Sequence, residues 1–276
     1  MEVIMSTRRA LCVGINRFKH LPDATLNGCI NDALDMAAML KTIGFADGDI
    51  TVLTDAQATK AAIMQPLTQM VNDAKAGVVN RIVFSMSSHG TQVPDTNGDE
   101  KDKADEAFCP TDLIQKGRVW DPDHIISDDE LNALFAQLPA NVLLEVYLDT
   151  CHSGTGMKQL WPVRYLPPPA PIEEVWAELQ GAKSLEARPS KPQVKAQRIL
   201  WAGCRADQTS ADASFNNRAN GAFTYYYLQS LKALGNTATR KQIITRMLAE
   251  MKAGGFEQIP QLETNATLRE RSLLED

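Results

Sequence analysis

A chain of 276 residues that is 44% hydrophobic can bury a sizeable core, which excludes disorder of the whole chain. Its 28 basic and 34 acidic residues give a net charge of −6 spread along the sequence, with no basic stripe of the kind that neutralises phosphates, which argues against nucleic acid as a partner. Residues 1–9 hold too few apolar side chains for the centre of a signal peptide and no apolar run approaches the roughly 18 residues that span a bilayer, so a cytoplasmic chain without a membrane partner is expected.

Apolar runs rich in β-branched residues alternate with helical periods, the pattern of an α/β sheet covered by helices. Residues 9–15 read as a buried strand. Over residues 31–43 Ala33, Met36, Ala37, Leu40 and Ile43 share one helical face, and Gly44 closes the helix. A short strand at 49–53 precedes a helix over 59–76, in which Pro66 predicts a kink or an early break. A third strand at 81–86 ends in Ser87-Ser-His-Gly90. The stretch 92–116 is acidic and rich in Asp, Gly and Lys, and reads as a long surface loop. Ser127-Asp-Asp-Glu130 has the form of a capping box opening a helix with Leu131 and Leu134. A fourth strand at 142–148 ends in Asp149-Thr-Cys-His-Ser-Gly154. Prolines at 162, 167, 168, 169, 171, 189 and 192 make residues 161–197 a linker or insertion, with a short helix over 172–179. A strand at 198–202 and helices at 223–234 and 240–251 complete a single domain over 1–276, since neither half holds a full alternation alone.

Ligands of open parallel sheets bind beyond the carboxyl ends of strands. His89 and Cys151 follow two such ends, so the sheet can bring them together without sequence proximity. A thiolate attacks carbonyls well, and an imidazole can move the thiol proton to a leaving amine. Gly90 lets substrate approach the backbone, and the amides of Gly90 and Cys151 are candidate oxyanion donors. His152 is adjacent to Cys151 and points to the opposite side of an extended segment, so His89 is the better base. The cysteines Cys12, Cys29, Cys109, Cys151 and Cys204 are odd in number and form no CxxC pair, and read as free thiols. Cys12, Cys109 and Cys204 are taken as structural.

The motifs Ser87-Ser-His-Gly90 and Asp149-Thr-Cys-His-Ser-Gly154, together with Gly28-Cys-Ile-Asn-Asp-Ala33 and Ala202-Gly-Cys-Arg-Ala-Asp-Gln-Thr-Ser-Ala-Asp212, resemble those of metacaspases and their bacterial relatives over residues 9–262. The resemblance implies a caspase-like α/β sandwich with a mostly parallel sheet flanked by helices on both faces. It also implies a large-subunit-like part over 9–160, a small-subunit-like part over 198–276, and a Cys151–His89 dyad. Asp32 and Ser87 match pocket residues of that family and Cys29 a cysteine near the pocket, while Asp32 as a helix cap and Cys29 as a packing residue remain alternatives. Asp149, two residues before the nucleophile, lies on its side of the strand end. Carboxylates facing the first pocket select Arg or Lys at P1, the residue before the scissile bond, rather than Asp. The expected function is therefore cysteine endopeptidase activity after basic residues, on a protein or peptide substrate, by a monomer. The alternative is a catalytically silent module of the same fold. A nucleotide-binding sheet lacks support, because Val13-Gly-Ile-Asn16 is not a phosphate loop.

No cofactor is expected to be required. Residues 95–106 partly imitate an EF-hand loop, but Glu100 stands where glycine is needed and the stretch reads as a solvated loop. Asp112, Asp128 and Asp129 match three acids of the metacaspase calcium site. Lys158 replaces the fourth, which argues against calcium activation. A basic P1 preference also makes Arg164, Lys183 and Lys195 candidate self-processing points, whereas Arg188 and Lys191 precede proline.

Overall fold

The computed structural model describes residues 7–95, 103–151, 162–181 and 193–275. In chain order the elements are β1 (Arg8–Gly14), α1 (Cys29–Thr42), β2 (Ile50–Thr54), α2 (Lys60–Lys75), β3 (Arg81–Ser87), β4 (Gly90–Pro94) and β5 (Ala104–Phe108). There follow β6 (Gln115–Lys116), β7 (Val119–Trp120), β8 (Ile126–Ser127), α3 (Asp128–Phe135), β9 (Leu143–Asp149) and α4 (Ile172–Gly181). The chain closes with β10 (Gln197–Ala202), β11 (Asp212–Phe215), β12 (Arg218–Gly221), α5 (Ala222–Leu234), α6 (Arg240–Ala253), β13 (Gln261–Glu263) and α7 (Ala266–Arg269).

Six strands form the central sheet in the order β13-β10-β9-β3-β1-β2. All pair in parallel except β13, which runs antiparallel to β10. Alternate residues of the strands face two apolar layers. Ala10, Cys12, Val83, Tyr147 and Trp201 pack with α1, α5 and α6. Leu11, Val13, Ile82, Phe84 and Val146 pack with α2 and α3. This is the expected sandwich with helices on both faces. Among the described residues no helix is long and apolar enough to cross a membrane.

Three local expectations are corrected. The stretch 92–116 is not a surface loop: β4 and β5 pair antiparallel from Gly90 opposite Phe108 to Pro94 opposite Ala104, and Thr91, Asp95, Asp105, Ala107 and Phe108 are buried. Its acidic residues disguised a strand pair with most of its residues buried, and the solvated reading of 95–106 fails at Asp95 and Asp105; residues 96–102 lie outside the described part. The early break at Pro66 does not occur: helix α2 continues through it to Lys75, and the proline's cost of about 3 kcal/mol in a helix interior is offset by the buried face of Ile63, Leu67, Met70, Val71 and Ala74. Part of the presumed linker is also folded in, as described below.

The core holds charges as well. Glu145 on β9 accepts from Arg240 Nε at 2.9 Å and Nη2 at 3.0 Å and from Trp201 Nε1 at 2.9 Å, all buried. Burial would push the Glu145 carboxyl up, but Arg240 and then Arg81 hold it below the usual range. Removing Arg240 leaves the buried Glu145 charge with the more distant Arg81 guanidinium, 3.9 Å away, as its remaining cation. Arg240→Ala is therefore expected to lower the unfolding free energy by about 3–5 kcal/mol, measured by urea titration. A loss within experimental error would show that water replaces the guanidinium.

Candidate active site

The chain order places β2 and β3 on opposite sides of β1, which makes the carboxyl ends of β1 and β3 a switch point where a crevice opens. Strand register then does the positioning. Ser87 and Asp149 are direct partners across β3 and β9, and His89 and Cys151 each lie two residues beyond that pair. Both are buried, at 5% and 0% exposure.

His89 Nε2 lies 3.1 Å from the carbonyl oxygen of Ala24. A carbonyl only accepts, so Nε2 carries the proton and Nδ1 keeps a lone pair. Nδ1 is buried without a hydrogen-bond partner, and the ring packs on Phe18 at 5.4 Å between centroids. Burial is the main influence on the imidazole and lowers its pKa to about 4, opposed by the Ala24 carbonyl. The Cys151 thiol bonds to Ser210 and not to His89: its sulfur accepts the Ser210 N–H and lies 3.5 Å from the Ser210 carbonyl oxygen.

What lies across these two residues is the chain's own segment 162–166. The Arg164 carbonyl oxygen accepts from the amide of Gly90 at 2.8 Å and of Cys151 at 3.2 Å, the two donors expected to hold an oxyanion. On one side Arg164 N donates to Ser210 O at 3.0 Å and Asp212 N to Pro162 O at 2.8 Å, and on the other Leu166 N donates to Gly90 O at 2.9 Å. Val163 thus pairs antiparallel with Ala211, and Tyr165 parallel with Gly90.

The Arg164 side chain, fully buried, enters a pocket of three carboxylates. It meets Asp32 Oδ2 at 2.7 Å, Asp149 Oδ2 at 3.1 Å and Asp212 Oδ1 at 3.0 Å. Each acid is held by further donors. Asp149 accepts from Ser210 Oγ at 2.7 Å and Thr224 Oγ1 at 2.8 Å. Asp212 accepts from the amides of Asn27 at 2.8 Å and Gly28 at 2.9 Å. Asp32 accepts from Asn220 Nδ2 at 2.9 Å and the Gly221 amide at 3.0 Å. Asp32 is therefore not the helix cap; Gly28 occupies that position. Gly221 must be glycine, since a Cβ there would run into Asp149 Oδ2 and the Arg164 guanidinium. Burial pushes the Asp32 carboxyl up to about 6 against the opposing charge of Arg164, and Asp149 adds to the rise. Cys29, fully buried within the fields of Arg164, Asp32, Asp212 and Asp149, is raised chiefly by burial. Ser87 is buried at the end of β3 opposite Asp149.

A family model described as the caspase domain matches residues 7–271. The chain belongs to the caspase-domain family. It is 31% identical over 300 residues to Metacaspase-1 of Coccidioides immitis, covering 95% of this chain and 62% of that one. To Metacaspase-1A of Aspergillus oryzae it is 31% identical over 265 residues, covering 82% and 60%. This caspase-domain chain thus spans about three fifths of the length of those relatives. A crystal structure of a Geobacter sulfurreducens protein superposes with a TM-score of 0.70 at 28% identity, over 98% of each chain. Caspase-1 of Spodoptera frugiperda superposes with a TM-score of 0.59 at 13% identity, over 94% of this chain and 87% of that one, a likeness of fold.

Two expectations within the caspase-domain site are altered. Sequence reasoning gave Asp212 no role, although it ends the late stretch that carried the resemblance. Asp112 does not join Asp128 and Asp129: its Oδ1 accepts the Lys60 amide at 2.9 Å, at the start of α2. The acid beside them is Asp105, and the three offer carboxylate oxygens within 4.8 Å of one another. Such hard oxygen donors suit calcium. Lys158 and His152 lie outside the described residues.

Proposed function

We propose that this chain is a cysteine endopeptidase that cuts after arginine or lysine, with Cys151 as nucleophile and His89 as acid-base partner. The observation that carries the proposal is the double engagement of Arg164: its guanidinium among Asp32, Asp149 and Asp212, its carbonyl oxygen on the amides of Gly90 and Cys151. A peptide held that way presents a carbonyl carbon to a thiolate, with two fixed donors aimed where negative charge develops.

The thiol proton passes to His89, whose Nδ1 lone pair is free to accept it, and the sulfur adds to the carbonyl carbon. The imidazolium then protonates the departing amine, leaving a thioester. Water, deprotonated by His89, cleaves the thioester, and the thiol is restored. Three buried carboxylates without a cation would repel one another at large cost, so the pocket selects a basic side chain; a planar guanidinium can bond several of them at once. An aspartyl side chain would add a fourth negative charge. A divalent cation, if taken up, would be held by Asp105, Asp128 and Asp129 and would neutralise their charge; no step above depends on it.

Fluorogenic peptides that differ only at P1 test the reading, assayed with and without calcium. Arginyl and lysyl peptides are expected to be hydrolysed, the arginyl one faster, and the aspartyl one not. Hydrolysis after aspartate, or after none of the three, would remove the proposal and favour a silent module of the same fold.

A further inference from the structure

Behind the acid pocket the hairpin of β11 and β12 meets helix α1. The strands pair with Phe215 opposite Arg218, and the two residues between them, Asn216 and Asn217, both take positive φ, at 50° and 63°, as a tight turn matched to the right-handed twist of its strands requires. That register puts Arg218 and Asn220 on one side of β12, two residues apart. On α1, Asp32 and Asp35 are three residues apart and share a face. The two pairs meet in order. Arg218 bonds both carboxylate oxygens of Asp35, and Asn220 Nδ2 donates to Asp32 Oδ1 at 2.9 Å and to Asp35 Oδ2 at 3.1 Å. Arg218 Nη1 also donates to Asn220 Oδ1 at 2.9 Å. A guanidinium only donates, so it holds the amide oxygen toward itself and turns the NH2 toward the acids. Asp32 Oδ1 is thereby occupied by Asn220 and the Gly221 amide, and Oδ2 is the atom that meets a guanidinium.

On the reading that Asp32 is an acid of the P1 pocket, we propose that Asn220 is the positioning residue that aims Asp32 at the basic side chain of the substrate, and that Arg218 acts through it from the protein surface. Asn220 is 2% exposed and the Arg218 side chain 46%, so an ion pair at the surface governs a buried acid through one amide. The charged and titratable groups around Asp32 are Arg164, Asp149 at the end of β9, Asp212 on β11, Arg218 on β12, and Cys29 and Asp35 on its own helix. Burial, and after it Asp149, push the Asp32 carboxyl up to about 6, against Arg164 and the Asn220 amide. Without that amide the carboxyl takes up its proton at a higher pH, and a neutral Asp32 no longer attracts a cation. Without Arg218, the charge of Asp35 is left beside the same NH2 group with no cation to balance it, competes for the donor and repels Asp32, which works in the same direction.

The test measures KM and kcat for an arginyl fluorogenic peptide from about pH 5 to 9 in the full chain and in Asn220→Ala, Arg218→Ala, Arg218→Lys and Arg218→Ala combined with Asp35→Asn, with circular dichroism on each. A hydrogen bond to a charged group changes an equilibrium by about tenfold, and tenfold is about one pH unit on a titration. In Asn220→Ala the rise of KM on acidification is therefore expected to begin about one pH unit higher than in the unaltered chain, while kcat on the alkaline side changes by less than about twofold. Arg218→Ala is expected to move the KM profile the same way, Arg218→Lys less, and the added Asp35→Asn to bring it back, a reversal that lost packing would not give. Should Asn220→Ala lose its fold, the series at the half-exposed Arg218 decides the matter. A KM profile in folded Asn220→Ala that coincides with that of the unaltered chain, a loss confined to kcat, or a shift in Arg218→Ala that Asp35→Asn leaves in place would overturn this inference alone and make Asn220 a structural tie between hairpin and helix. Arginyl hydrolysis indifferent to Asp32→Asn, or absent from the unaltered chain, would overturn the pocket reading with it.

Discussion

Replacing Cys151 or His89 by alanine is expected to lower kcat for an arginyl peptide by a factor on the order of 10³ or more, with little change in KM. Each variant is compared with the unaltered chain, with circular dichroism confirming that the fold is kept. The two losses should not add, because a thiol without its base and a base without its thiol disable the same step. The His89 effect follows from its geometry: the Ala24 carbonyl fixes the proton on Nε2 and leaves Nδ1 as the buried acceptor. His152→Ala is expected to retain most activity. If it proved as damaging as His89→Ala with the fold intact, the assignment of the base would be wrong.

Changing any one of Asp32, Asp149 and Asp212 to asparagine is expected to cut kcat/KM for arginyl peptides by a factor on the order of 30 or more, corresponding to about 2–5 kcal/mol for truncating one partner of a buried charge pair. Asparagine keeps an oxygen to accept from Thr224, Gly28 or Gly221, so the loss reports on charge rather than on collapse of the pocket. Asp32 adds a pH signature. Its carboxyl is raised by burial to about 6, so as pH falls through that value it takes up a proton, the charge facing the substrate guanidinium disappears, and KM should rise. In Asp32→Asn this dependence should be gone. Protonation of His89, displaced by burial down to about 4, should remove kcat only at lower pH, where Nδ1 can no longer accept. Unchanged arginyl hydrolysis in Asp149→Asn, or a KM independent of pH between 4 and 7 in the unaltered pocket, would contradict the pocket assignment.

Much of this site was legible in the sequence because its parts sit at strand ends. Apolar runs with β-branched residues marked β1, β3 and β9, and the residues just past two of them, His89 and Cys151, are of reactive types with glycines nearby. Asp149 was legible by its nearness to Cys151, and Asp32 only through the resemblance of Gly28-Cys-Ile-Asn-Asp-Ala33 to the family. Asp212 was not, since its contact with the pocket is made by β11, which returns to the site only through the tertiary fold. Arg164 was legible as a basic residue in a proline-rich stretch but not as the occupant of the pocket. Its anchors are the amides of Gly90 and Cys151 and three distant acids, which leave no local period to read. The hairpin of β4 and β5 was hidden for a related reason: Asp105 and Glu106 made a strand with a buried face look like solvated loop. Pro66 misled in the other direction, because packing of a helix face outweighed the loss of one backbone bond.

The most direct measurement of the central claim is the mass map of the chain after treatment with a peptidyl arginyl chloromethyl ketone, which becomes permanent when a positioned thiolate displaces its chloride. The chain is expected to carry a single adduct, on Cys151, to remain unmodified by the aspartyl analogue, and to lose the adduct when Cys151 is replaced by alanine. Equal labelling by the two reagents, or an adduct on Cys29 or Cys204 in place of Cys151, would contradict the account.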